Sequence, residues 1–232
     1  MNRGKLIVIE GTDSSGKETQ SNLLYEKLKS EGYKVYKTSF PMYDTPTGKI
    51  VGGPYLGKKS ISEGYFKEGA SNVDGKVASL YYAADRYYNS YLINTMLCEG
   101  VNVILDRYTY SNMAHQAGKE KDGAKRRELY TFLEELEFNL LKLPTPDISI
   151  LLYVPAEVSF ELKNNRDETD QHEDDLDHLR LAESAYLEIA EIYDFKKVTC
   201  VNDGEFRDRE DILDELKSHV YSCLEKKTRT WI

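Results

Sequence analysis

Disulfide chemistry has little to work with in this chain. It holds three cysteines, Cys98, Cys200 and Cys223, odd in number and far apart, which excludes a disulfide framework and a CxxC pair. No apolar run approaches the roughly 18 residues that a membrane-spanning helix needs. The apolar stretch in MNRGKLIVIEG is too short for a signal peptide and leads straight into a glycine loop. The expected compartment is therefore the cytoplasm, with no membrane partner. Positive charge is also in deficit: 31 Lys and Arg against 40 Asp and Glu give a formal net charge of -9. That argues against general nucleic-acid binding, which needs a basic face. A phosphorylated small molecule is not excluded, because a local cluster of donors holds an anion on an acidic protein.

What remains is a chain of 232 residues, 40% hydrophobic and 31% charged, long enough to bury a core without staples. Leu6-Ile7-Val8-Ile9 is short, apolar and β-branched, the pattern of a strand buried on both faces. Thr19 to Glu31 follows with leucines at helical spacing and stops at Gly32. Val35 to Ser39, Val101 to Asp106, Ile148 to Val154 and Val198 to Val201 complete five strands. Helices are expected near Thr47 to Tyr55 and over Val77 to Glu99, Lys125 to Leu141, Glu157 to Asn164, Leu179 to Tyr193 and Arg209 to Leu224. Apolar strands alternating with helices predict an α/β fold, a five-stranded parallel sheet with helices on both faces. No repeat or long linker divides the chain, so one domain over 1–232 is expected, with ligands at the carboxyl ends of the strands.

The stretch GTDSSGKETQ, residues 11–20, nearly matches the phosphate-binding pattern G-x-x-x-x-G-K-[ST]. Gly11, Gly16 and Lys17 are in place after a strand and before a helix. In that setting the backbone amides of Gly11, Thr12, Ser14, Ser15 and Gly16 and the helix dipole converge on an anion, and Lys17 supplies a mobile charge. The plain alternative is a tight strand–helix turn with a surface lysine. Glu18 departs from the pattern, standing where a magnesium-binding hydroxyl is usual. Either it touches the metal or its waters, or it points away and other acids, such as Asp13 and Asp106, serve. Magnesium takes only one or two carboxylates, so the second arrangement is inexpensive. Thr19 lies about 100° further round the helix and is no simple substitute.

Five segments, IEGTDSSGKETQ, FPMYDTPTGK, LYYAADR, VILDRYTYSNMAHQ and AESAYLEIAEIY, occur in order over nearly the whole chain. Together they resemble the thymidylate kinase family, P-loop enzymes that phosphorylate dTMP to dTDP. Tyr82 and Arg86 lie four apart and share a helix face. The resemblance implies that Tyr82 stacks on the base and that Arg86 contacts it. It implies that Arg107 grips the dTMP phosphate as a bidentate fork, with Asp106 placed to orient it or to reach metal-bound water. Asp13 would meet the acceptor 3′-hydroxyl or the surroundings of the metal. Ser111, Asn112 and Gln116 would line the nucleoside pocket, Gln116 against the thymine edge. His115 stands where the family has an aromatic near the sugar 2′ position. Phe40, Pro41 and Tyr43 match an acceptor-site loop, and Met42 departs from an arginine often found there.

The resemblance also implies ATP as donor, Mg²⁺ as cofactor, a homodimer packed through helices, and a lid at about 163–178. In KNNRDETDQHEDD, Arg166 is the main lid cation and Lys163 the second. Seven of the eleven residues from Asp167 to Asp177 are acidic. Ser14 and Ser15 leave no arginine in the glycine loop, so the expected cationic set for phosphoryl transfer is Lys17, Arg107 and Arg166. Two other functions fit the same residues. One is a kinase for another deoxynucleoside monophosphate or a nucleoside, kept open by Met42, His115 and the acidic lid. The other is a catalytically silent nucleotide-binding protein that has lost its metal seat through Glu18.

Overall fold

A computed structural model describes residues 3–163, 176–202 and 204–225. Its centre is a parallel sheet in the order β2-β3-β1-β4-β5. The strands are β1 (Leu6–Glu10), β2 (Val35–Ser39), β3 (Asn102–Asp106), β4 (Ile148–Tyr153) and β5 (Lys196–Thr199). β1 lies in the middle, pairing Ile9 with Asp106 of β3 and with Ile150 of β4. All five of its residues are buried, which is why the sequence reads apolar without alternation. Ile7 and Ile9 pack on one side of the sheet with Leu24, Leu28, Leu213 and Leu216. Leu6 and Val8 pack on the other with Ile93, Leu97 and Tyr108. The fifth strand sits two residues earlier than the sequence suggests, and it is followed by an unexpected small hairpin of β6 (Val201–Asn202) and β7 (Glu205–Phe206).

The helices that position the site are α1 (Lys17–Ser30), α2 (Pro46–Ile50), α3 (Gly75–Cys98), α4 (Thr109–Asn112), α5 (Gly123–Glu134), α6 (Ala156–Lys163), α7 (Leu176–Ile192) and α8 (Arg209–Glu225). Three of them run on into π-helical turns, at Val51–Tyr55, Met113–Ala117 and Glu135–Leu140. Apolar periodicity does not separate those turns from α-helix, so the sequence reads α5 and its continuation as one segment to Leu141. Residues 164–175 lie outside the described residues, and with them Arg166 and most of the expected lid.

Candidate active site

The glycine loop leaves β1 and enters α1 at Gly16, which caps the helix with φ 82°, a conformation that costs glycine nothing. Thr12, Ser15 and Lys17 are buried, whereas Glu18 and Thr19 are exposed on the first turn of α1. Lys17 folds back over its own loop: Nζ donates to the Thr12 carbonyl at 2.6 Å and to Ser15 Oγ at 3.3 Å. Burial, together with the nearby Arg107 charge, depresses the Lys17 ammonium to about 8 against the pull of Asp13, Asp106 and Glu10. Ser14, Ser15, Gly16 and Thr19 line a cavity on the outer side of the loop. Its far wall is Phe206, Arg207 and Arg209. Those three residues escape motif reading, because they come from the hairpin and the start of α8.

A second cavity, with about 650 Å³ of non-protein space, lies on the other side of the loop. It is lined by every acceptor residue the sequence nominates: Phe40, Tyr43, Tyr82, Arg86, Arg107, Ser111, Asn112, His115 and Gln116, together with Asp13. Leu56 and Tyr108 are further lining residues that the sequence reading does not name. The wall carrying Phe40 and Tyr43 is fastened to α3 by Asp85. Its carboxylate accepts from the Met42 amide at 2.9 Å and from the Thr47 hydroxyl at 2.9 Å. Within that wall Gly48 lets α2 lie against Met42, since a Cβ there would come within 1.8 Å of the Met42 carbonyl oxygen.

Two charge clusters sit in this cavity. Around Arg86, Glu137 accepts from Nε at 2.5 Å and from Nη2 at 2.7 Å, and Nη1 reaches the Tyr108 carbonyl at 3.4 Å. Arg86 is thus not a surface arginine but half of a buried ion pair, with two of its five N–H donors left over. Burial works against its charge, but Glu137 outweighs that and raises its pKa. Asn112 donates to Glu137 at 3.1 Å and Thr109 at 3.0 Å, so this carboxylate aligns one whole wall. Around Arg107, Nη2 pairs with Asp13 and Nη1 lies 3.2 Å from His115 Nε2 and 3.5 Å from Ser111 Oγ. Asp13, not the adjacent Asp106, is therefore the residue that orients Arg107. Burial alone would raise the Asp13 carboxyl, but Arg107, His115 and Lys17 hold it well below the usual carboxylate range. The His115 ring also stacks on His178 at 5.7 Å between centroids, and its edge meets Tyr186.

Polar atoms without partners show what the cavity is shaped to receive. Gln116 Oε1 and Nε2 and Asn112 Oδ1 are buried and have no partner at full hydrogen-bonding geometry among the described residues. The Tyr55 hydroxyl beside Gln116 gives its proton to the Ala70 carbonyl at 3.1 Å. A buried unmet amide costs about 1–3 kcal/mol, so such groups call for a ligand. The cavity thus offers aromatic walls, an amide with a donor and an acceptor side by side, and a guanidinium fork next to a phosphate loop.

Glu10 is a further residue that the motifs do not single out. It is the last residue of β1 and fully buried. Oε1 accepts from the backbone amides of Tyr108 at 2.8 Å and Ser111 at 3.2 Å. Oε2 accepts from the Ser111 hydroxyl at 2.5 Å and the Tyr186 hydroxyl at 3.2 Å.

A family model described as thymidylate kinase matches residues 9–214. The chain belongs to the thymidylate kinase family. The probable thymidylate kinase of Pyrococcus horikoshii is 32% identical over 192 residues, 82% of this chain and 85% of that one. Human thymidylate kinase is 33% identical over 153 residues, 65% of this chain and 61% of the human one. The solved thymidylate kinase of Candida albicans, described as having broad substrate specificity, superposes with a TM-score of 0.69 at 26% identity. It covers 95% of this chain and 92% of its own. The five-stranded parallel sheet with helices on both faces is the fold of that family.

Proposed function

We propose that the protein transfers the γ-phosphoryl group of ATP to dTMP, giving dTDP and ADP. The observation that carries this is the cavity between Gln116 and Arg107. A buried amide faces it at one point and a guanidinium at another, beside a loop with its lysine in place. Thymine presents an N3–H donor next to an O4 acceptor, which a Gln116 amide matches. Tyr82 and Phe40 offer flat faces for the base, and the spare N–H groups of Arg86 offer donors to a base oxygen. Arg107 receives the acceptor phosphate, and the amides of residues 11–17 receive the donor phosphates. An oxygen of the dTMP phosphate attacks the γ-phosphorus in line as the bond to the β-phosphate oxygen breaks. The chain's part is to position the reactants and neutralise charge.

The residues suit a magnesium ion bound through few protein ligands. Among the described residues no group of three or more His, Cys, Asp or Glu forms a cage, and Mg²⁺ at phosphates typically uses one or two carboxylates. Asp13 is already paired with Arg107, and Glu18 faces outward on α1. Asp106, at the end of β3 and near Lys17, is the carboxylate that would hold the ion or its waters. An ion held there would supply neutralisation of the phosphate charge.

On this reading the chain acts as one cytoplasmic kinase domain. It works as a homodimer. Leu80, Tyr87, Tyr88 and Tyr91 form an exposed stripe on α3, Tyr91 being 82% exposed, and their spacing puts them on one helix face. A second copy would cover that stripe. Sedimentation of the wild type should give a dimer, and of a Tyr88→Glu, Tyr91→Glu double variant a monomer; a monomeric wild type refutes the assembly.

A coupled ADP-release assay across nucleoside monophosphates and nucleosides tests the acceptor. dTMP should give the highest kcat/KM, ahead of dUMP by about tenfold or more, the worth of one methyl in an apolar pocket. Preference for another acceptor supports the broader kinase reading. ATP binding with no ADP release for any acceptor supports a silent binder.

A further inference from the structure

We propose that Glu10 is a positioning residue that fixes the acceptor-lining helix α4 and the Arg107 turn relative to the phosphate loop. This rests on the kinase reading for its consequence, but its geometry stands by itself. Glu10 is the last residue of β1, and the loop begins at the next residue, Gly11. Its carboxylate reaches across to the N-terminus of α4, where Tyr108 is the capping residue and has no side-chain cap of its own. The amides of Tyr108 and Ser111 are two of the donors that a helix start leaves unsatisfied, and both end on Glu10 Oε1. Beside them, Arg107 takes the left-handed conformation at φ 67°, unusual for a side chain with a Cβ. Its amide donates to the Ile9 carbonyl at 3.0 Å. The two residues flanking the loop's first glycine on the β1 side, Ile9 and Glu10, therefore hold both ends of the turn that aims the Arg107 fork.

The other carboxylate oxygen ties in a third element. Tyr186, on α7, donates to Oε2 and lies 2.9 Å from Ser111 Oγ. One buried carboxylate thus links the donor loop, the helix carrying Ser111 and Asn112, and the helix whose His178 stacks on His115. Burial raises the Glu10 pKa, while Ser111, Tyr108, Arg107 and Lys17 all act to lower it. An in-line reaction depends on the distance between the two phosphates, and a misplacement of about 1 Å costs about a hundredfold. Glu10 joins the parts that hold them, by the backbone on the loop side and by hydrogen bonds on the acceptor side, next to the direct Asp13–Arg107 pair.

The test compares Glu10→Ala, Glu10→Gln and Tyr186→Phe with the wild type. Steady-state kinetics, binding of a non-hydrolysable ATP analogue and amide hydrogen exchange are measured for each. Glu10→Ala should lose about a hundredfold in kcat and gain about tenfold in acceptor KM, with analogue affinity within about twofold. The amides of Tyr108 and Ser111 should lose exchange protection while those of α1 keep it. Glu10→Gln keeps one oxygen for the two amides, and its NH₂ group faces hydroxyls that can turn to accept. It should restore at least about a tenth of wild-type kcat. Tyr186→Phe should fall between the two, which keeps the test open if Glu10→Ala fails to fold. Lost protection at Tyr108 and Ser111 with wild-type kcat and acceptor KM overturns the proposal. So does a parallel fall of analogue binding and turnover, the sign of general instability. A wild type that turns over no acceptor defeats the functional reading instead, and the exchange pattern still decides whether Glu10 anchors the turn.

Discussion

Replacing Lys17 by Met should lower kcat by about a thousandfold or more, the scale on which cationic groups at a transferring phosphoryl act. The protein should still fold and melt close to the wild type, because Met has similar bulk and removes a charge that burial opposes. Its hydrogen bonds among the described residues stay within its own loop, at the Thr12 carbonyl and Ser15, and its charge faces Asp13, Asp106 and Glu10 without a direct contact to them. A variant retaining most of its activity refutes the phosphate role. The pH profile gives an independent check. Lys17 is depressed to about 8, chiefly by burial, and the charged form is the one that attracts the triphosphate. Proton loss with rising pH removes that attraction, so kcat/KM for ATP should be level below about 8 and decline above it. An ordinary lysine would show no such decline until near 10.4.

The second large effect is expected at Arg107, on the acceptor side. Arg107→Gly relieves the left-handed backbone, which offsets part of the cost of leaving Asp13 without its partner, so the protein should still fold while the fork disappears. Charge-assisted hydrogen bonds are worth about 1.5–3 kcal/mol each, so losing the fork should raise the acceptor KM by about a hundredfold. Affinity for an ATP analogue should change by no more than about threefold, since the donor amides belong to residues 11–17. Arg107→Lys should recover only part of the loss, because a point charge does not reproduce the two-pronged contact. An unchanged acceptor KM in Arg107→Gly removes the arginine from the substrate site. Asp13 gives a second readout: without its partner, the charge that most depresses its carboxyl is gone, so its pKa should rise.

Much of this layout is legible in the chain itself, and the reason is local. The three central strands, β1, β3 and β4, are buried on both faces along most of their length and therefore read as apolar runs. The glycine loop, the AADR helix and the DRY turn each pack several functional residues into a short window. What escapes reading is long-range. Glu10 meets Ser111 across 101 positions, Arg86 meets Glu137 across 51, and Asp85 meets the Met42 amide across 43. Each carboxylate looks like an ordinary surface acid until the fold brings its donors. The partner of Arg107 escaped for the same reason. Adjacency in sequence favours Asp106, yet the side chain turns to Asp13, 94 positions away. Phe206, Arg207 and Arg209 carry no motif and face the loop only because of the β6–β7 hairpin. The π-helical turns after α2, α4 and α5 shift side chains round the axis in ways that apolar spacing does not encode.

Asp85 has one further consequence. By holding the Met42 amide and the Thr47 hydroxyl on the helix that also carries Tyr82 and Arg86, it makes two sides of the acceptor slot a single rigid jaw. A bulkier base cannot then be admitted by trimming one side chain alone. Widening the slot means loosening that clasp, so the breadth of acceptors this kinase tolerates should depend on position 85 although Asp85 is not among the residues lining the cavity.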